Sequence, residues 1–90
     1  MIFEWDDDKA AANLRKHHVA FELAELVWDD PAHIIVFDRY ENDEERWHAI
    51  GLILTVVHTL PTGDDENSIR IISARKATAD ERKRYEAQDD

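Results

Sequence analysis

The run Ile69–Tyr85 (IRIISARKATADERKRY) constrains this chain more than any other. Ile69, Ile71 and Ile72 are β-branched residues that suit a pleated surface, which predicts a strand over Ile69–Ser73. Thr78-Ala79-Asp80-Glu81 reads as a capping box, in which hydroxyl and carboxylate satisfy orphan amides of a first helical turn. A helix is therefore predicted over Thr78–Ala87. Arg75 and Lys76 fall between the two elements, Arg70 before them, and Arg82, Lys83 and Arg84 after. Residues 67–85 carry six basic and two acidic residues, a local charge of +4. The chain as a whole stands at −10, so everything outside this run sums to −14. A cationic island on an acidic protein points to local recognition of an anion.

The rest of the composition narrows the class. Ninety residues make one small domain with a thin margin of burial. With no cysteine there is neither a disulfide framework nor thiolate chemistry. The N-terminus reaches Asp6-Asp7-Asp8 before any apolar run develops, which is not a signal-peptide pattern. The best apolar run, Ala49–Val57, is about half of what a spanning helix needs. A cytoplasmic protein with no membrane association is expected. The net negative charge argues against nonspecific nucleic-acid binding and leaves a local basic site or a basic partner.

Periodicity supplies the elements. Ile2-Phe3-Glu4-Trp5 alternates as a short edge strand. Asp6 is an N-cap, and Lys9–His18 reads as a helix with acid first and base last, as the macrodipole favours. Phe21, Ala24, Val27 and Trp28 follow helical spacing over about 20–28, stopped by Asp29-Asp30-Pro31. Strands are predicted at His33–Phe37, Arg46–Ile50 and Ile53–Leu60, with Asp38–Glu44 as a polar turn and 61–67 as a loop. The alternation sets Arg46, His48 and Ile50 opposite Trp47 and Ala49. The expected fold is α+β: an antiparallel sheet of about four strands, packed on two N-terminal helices and a C-terminal helix that cover one face. At Ile50-Gly51-Leu52-Ile53 one turn residue separates two strand patterns. A tight hairpin there would need Gly51 at positive φ; the alternative is one long strand, prone to exchange between two copies in a homodimer.

Several motifs in order resemble the BrnT family of toxins from bacterial type II toxin–antitoxin systems. They are Phe3-Glu4-Trp5-Asp6, Lys9, Asn13, Lys16-His17, Val19 and Phe21-Glu22 at the N-terminus. Asp29-Asp30-Pro31, Arg46 and Ile50-Gly51 follow in the middle. Ile69 through Ala77, Glu81, Arg82 and Tyr85 complete the pattern. The family has glycine where this chain has His18, and more residues after the Ile-Gly pair. The resemblance implies a RelE-like fold, metal-independent RNA cleavage and no cofactor. It also implies a BrnA-type ribbon-helix-helix antitoxin as partner, with operator DNA engaged only through that antitoxin.

RNA cleavage needs proton removal from a 2′-hydroxyl, stabilisation of the charged phosphorane and protonation of the leaving oxygen. Arg75, Arg70 and Arg46 are the candidate phosphate-stabilising residues, since guanidinium binds phosphate in a two-point fork. Arg75 leads because it precedes a helix N-terminus; a structural ion pair is the competing role. His17 and His58 are the candidate proton carriers, although His17 could only cap a helix and His58, set between apolar residues, fits a core histidine better. His18, His33 and His48 read as surface or packing residues. Lys9, Lys16, Lys76, Arg82 and Tyr85 are candidate RNA contacts. The tryptophans could stack bases but suit a core. Adjacent carboxylates and the His17-His18 pair do not aim ligands at one ion, so no metal site is predicted. A second reading is a noncatalytic acidic module that docks a basic or nucleic-acid-binding partner. The two part on geometry: arginines meeting on one face favour the nuclease, arginines each held by a separate acid favour the module.

Overall fold

The computed structural model describes residues 1–60 and 67–88. The elements run β1 (Ile2–Glu4), α1 (Asp7–His17), α2 (Phe21–Ala24), a 3-10 segment (Glu25–Asp29), β2 (Ile34–Glu41), β3 (Glu44–Ile50), β4 (Leu54–His58), β5 (Ser68–Lys76) and α3 (Ala79–Ala87). One sheet holds five strands in the order β1-β5-β4-β3-β2. Four pair antiparallel, and β1 lies parallel to β5. The antiparallel sheet of about four strands is thus corrected to a mixed sheet of five, because the edge strand read at Ile2–Trp5 joins it in parallel. Most of the predicted 61–67 loop lies outside the described residues.

Asp6 caps α1 as its sequence indicates, its Oδ1 accepting from the amides of Asp8 (2.8 Å) and Lys9 (3.1 Å). His18 closes the helix at φ 60, a left-handed conformation that favours glycine, and its amide returns to the Leu14 carbonyl at 2.9 Å. The second helix is one α-turn that tightens into the 3-10 segment before Pro31. The predicted polar turn over 38–44 is mostly strand. Only Asn42 and Asp43 turn, both at positive φ (54 and 59), a type I′ geometry that Asn and Asp tolerate. The remaining polar residues stay in the β2–β3 ladder because β2 is an edge strand with one face in water.

Gly51 does not adopt a left-handed φ. Gly51-Leu52-Ile53 closes the hairpin within one chain, with the Gly51 amide donating to the Leu54 carbonyl at 2.9 Å and Ile50 paired to Thr55. Two antiparallel strands thus replace both the tight one-residue turn and the single long strand.

Alternation divides the sheet. Ala49, Val56, Ile71 and Ala74 point inward and pack with Val19, Phe21, Ala24 and Val27 of the helical layer. Trp5 meets Phe21, Trp28 meets Phe3, and Trp47 meets Phe37, so all three indoles serve packing. The α3 helix lies on the other side: its Glu81 reaches Thr55, Arg75 and His48, which alternate with the inward residues. The expectation that helices share one face is corrected. Short links keep α1 and α2 together, whereas Lys76–Thr78 carries the chain across to the opposite face.

Asn13 replaces a missing strand. β1 pairs β5 only from Ser68 to Arg70, which leaves the edge beyond it open. The buried Asn13 amide fills that edge, donating to the Ala74 carbonyl (2.9 Å) while its Oδ1 accepts from the Ala74 amide (3.1 Å). It also donates to the Val19 carbonyl at 3.0 Å, fixing the turn after α1. This places α1 along the β5 edge.

Candidate functional site

The outer sheet face gathers Arg46, Arg70 and Arg75 with Asp38, Glu44 and Glu81. The register sets Ser73, Val57 and His48 side by side across β5, β4 and β3, and Arg75 beside Thr55. Arg46 precedes His48 by two residues and Arg70 extends from β5, so the three arginines share this face. They do not share one partner.

Arg75 is tied to one carboxylate. Its guanidinium grips Glu81 with two parallel bonds of 2.7 and 2.9 Å. The same carboxylate accepts from the Thr55 hydroxyl (2.9 Å) and the Thr78 amide (2.8 Å). The Thr78 hydroxyl accepts from the Glu81 amide at 3.1 Å, completing the predicted capping box. The Arg75 fork, with help from Thr78 and Thr55, holds the Glu81 carboxyl down at about 2 against the opposing effect of burial. The Arg75 pKa is raised by the same bonds. This site pins α3 to the sheet.

Arg46 and Arg70 meet at the other end of β3. Arg70 bonds Glu44, and Arg46 approaches the same carboxylate at 3.4 Å and Glu41 at 3.9 Å. Arg46 is only 6% exposed, and its Nε has no hydrogen-bond partner among the described residues. Among the described residues these two long contacts are the ion pairs it makes, and a buried guanidinium so held is under-satisfied, because desolvation is costly unless bonds replace water. Arg70, Glu44, Glu45, Tyr40, Thr59 and Leu60 help line an adjoining cleft of about 760 Å³.

His48 stands between these two centres. Its Nε2 lies 3.4 Å from Asp38 and its Nδ1 3.8 Å from Glu81. The β2 irregularity between Phe37 and Arg39 leaves Asp38 as the extra residue that faces it. The sequence alternation places His48 on the side of Arg46, so the signal is there, although His48 reads on its own as a surface or packing residue. Glu44 and Asp38 carry no motif of their own; only the strand pairing brings them to the face.

On the opposite flank α1 contributes Lys9, Lys16 and His17, which line one shallow cleft with Ile72 and Ser73. Lys9 and Lys16 are exposed and make no ion pair among the described residues. Lys76 and Arg82 are likewise exposed, at the end of β5 and on α3. The Tyr85 hydroxyl donates to Asp30 at 2.6 Å, and this bond leads in lowering the Asp30 pKa.

His58, a candidate proton carrier, is the core histidine that its apolar neighbours favour. It is 0% exposed, its ring lies 4.8 Å edge-on from Trp28, and Nδ1 donates to the Thr59 carbonyl at 2.8 Å. Burial drives its pKa down to about 4, so it stays neutral near neutrality and has no path to a substrate. The β4 alternation turns it inward, opposite Val57.

A family model described as "Ribonuclease toxin, BrnT, of type II toxin-antitoxin system" matches residues 5–81. The fold is similar to the crystal structure of the Brucella abortus ribonuclease toxin, BrnT, with a TM-score of 0.59 and 26% identity over 87% of this chain and 99% of that one. No curated protein matches. The family match begins ahead of α1 and ends on Glu81, the residue that closes the α3 cap, so it takes in nearly every element that builds the outer face. The chain belongs to the BrnT family of type II toxin–antitoxin ribonuclease toxins.

Proposed function

We propose that the chain is a metal-independent endoribonuclease that cuts cytoplasmic RNA and thereby stops translation, until a BrnA-type antitoxin neutralises it. Operator DNA is then contacted through the antitoxin alone. The observation that carries this reading is the pair Arg46–Arg70, two guanidiniums on one carboxylate beside an open cleft. A phosphate entering there exchanges Glu44 for its own oxygens and supplies the short bonds that Arg46 lacks. Arg70, the more exposed of the two, forks onto the scissile group. Lys9 and Lys16 hold flanking phosphates, with Lys76 and Arg82 further along. Arg75 acts through Glu81 as a positioning residue.

His17 and His48 flank the Ser73 row and are the imidazoles for proton transfer. A neutral one takes the 2′-hydroxyl proton as O2′ bonds phosphorus. A protonated one gives its proton to O5′ as the P–O5′ bond breaks, leaving a 2′,3′-cyclic phosphate and a 5′-hydroxyl. Charge on the phosphorane is met by arginine, so the scheme needs no metal ion.

The test is cleavage of bulk RNA by folded, antitoxin-free protein in the presence of a chelator. Cyclic-phosphate ends are expected from the wild type, with loss of cleavage in Arg70→Ala. Intact RNA with the wild type would leave the acidic docking module as the better account.

A further inference from the structure

The cleft beside the arginine pair has a structural cause. β3 pairs β4 only from Trp47 to Ile50, so Glu44–Arg46 run on past the end of that ladder. Thr59 stays with β5, its amide donating to the Arg70 carbonyl at 3.1 Å. The notch between them is the cleft of about 760 Å³, and it is lined from both sides of the sheet. Arg70 and Glu44 come from the outer face. Tyr40 and Glu45, which stand opposite each other across β2 and β3, come from the other. The two ends therefore differ in chemistry. One presents a guanidinium. The other presents an aromatic ring with a carboxylate fixed against it. Tyr40 is 68% exposed. Its ring rests edge-on against Phe37, 5.5 Å between centroids, and Phe37 rests in turn on Trp47 at 5.4 Å. Glu45 accepts from the Tyr40 hydroxyl on one oxygen (3.3 Å) and from the Trp47 indole N–H on the other (3.1 Å). Each oxygen keeps a further acceptor site.

We propose that this end of the cleft is a guanine-reading subsite. The base stacks on Tyr40 and donates N1–H and N2–H to the two Glu45 oxygens, while the adjoining phosphate sits on Arg70. The proposal rests on the RNA-cleaving reading and adds which base stands beside the bound phosphate. An unstacked base is read in this way, by an aromatic face and by the hydrogen-bonding pattern of its edge. Guanine is the base whose Watson–Crick edge sets two N–H donors side by side. Adenine and cytosine place an acceptor nitrogen next to their amino group, and uracil flanks one N–H with two carbonyls. Each of these would turn an acceptor on the carboxylate, leaving it unpaired. A neutral base tolerates the neighbouring Asp43 and Glu44, which would repel a second phosphate. An arginine from a protein partner also offers paired donors, but Arg70 opposes a second guanidinium in the same cleft. A nucleotide brings an anion to Arg70 and donors to Glu45, so it matches both ends.

The experiment titrates antitoxin-free protein against noncleavable 2′-O-methyl oligouridylates, either unsubstituted or carrying one central guanosine, inosine or adenosine. Binding is read by anisotropy, with circular dichroism as the fold control. Wild type should bind the guanosine oligonucleotide about tenfold more tightly than the adenosine and all-uridine ones. Inosine, which keeps N1–H and lacks the amino group, should fall between. Glu45→Gln exchanges one acceptor for a donor and should bring guanosine to within about twofold of adenosine. It also removes a negative charge, so the all-uridine oligonucleotide should bind it at least as well as wild type. Tyr40→Ala should weaken the guanosine and adenosine oligonucleotides by about tenfold alike. Equal binding of all four by wild type overturns the proposal, and so does a guanosine preference that survives Glu45→Gln. An arginine-rich peptide that binds wild type and is lost in both variants, with no base preference in RNA, overturns it in favour of a protein partner. Because these oligonucleotides cannot be cut, the two readings fail separately. Guanosine preference without cleavage of bulk RNA would remove the nuclease and uphold the subsite; cleavage with no base preference would remove the subsite alone.

Discussion

Two arginine–carboxylate centres occupy one sheet face and differ in how completely they are satisfied. At Glu81 the carboxylate collects the Arg75 fork, a threonine hydroxyl and a backbone amide, every contact at ordinary hydrogen-bond distance. At Glu44 two arginines share one partly exposed carboxylate, and the buried one keeps an unpartnered Nε. A carboxylate so occupied fixes its arginine and the helix that carries it. An under-satisfied cation gains by exchanging its partner for one with more oxygens.

The strongest test of this contrast is Glu81→Ala. It removes a helix cap and leaves Arg75 half-buried without its partner, so urea unfolding should show a loss of about 4 kcal/mol, close to the whole stability of a small domain. A loss near zero would erase the distinction. Arg70→Ala should do the reverse. Cleavage should fall roughly 10²–10³-fold in single-turnover assays while the urea midpoint barely moves. Acid titration separates the centres from the core. His58 has its pKa lowered from 6.5 to about 4, so the unfolded chain binds the proton first. Its contribution is complete above pH 6.5 and is lost as pH falls toward 4, by up to about 3 kcal/mol. Glu81 is lowered from 4.5 to about 2, so its contribution is lost only between those values. Stability measured against pH should show both declines in wild type. His58→Leu should remove the upper decline and leave the lower.

The Glu81 centre was legible in the sequence and the Glu44 centre was not. A capping box is local, four residues whose spacing states its geometry, and Thr78–Glu81 formed as read. The strand feeding it was also legible, though it runs from Ser68 to Lys76, longer than its isoleucines mark, because pairing with β4 carries polar residues along. Glu44 meets Arg70 across 26 positions, through the stacking of three strands. No local pattern encodes that. The turn is only Asn42 and Asp43, shorter than the polar run 38–44, because the outer residues of an edge strand are solvated and polarity there does not mark irregularity. Which side His58 and His48 take is open in the sequence for a related reason. Alternation gives two faces but does not say which one the helices cover. Asn13 is the least legible of all, since a side chain standing in for a β-strand looks like any polar helix residue.

Glu44→Gln gives the smallest effect and the sharpest reading of the contrast. Glutamine keeps the shape and one oxygen acceptor, so Arg46 and Arg70 retain a partner but lose its charge. Stability should change by less than about 1 kcal/mol, since the pair is long on one side and half-exposed on the other. Affinity for a noncleavable 2′-O-methyl RNA should rise a few-fold, because the phosphate no longer displaces an anion. The rise should shrink as salt screens the site. Weaker RNA binding, together with a stability loss as large as that of Glu81→Ala, would make Glu44 a second structural clamp. It would then have to be counted with Glu81, and the arginines beside it would lose their claim on the phosphate.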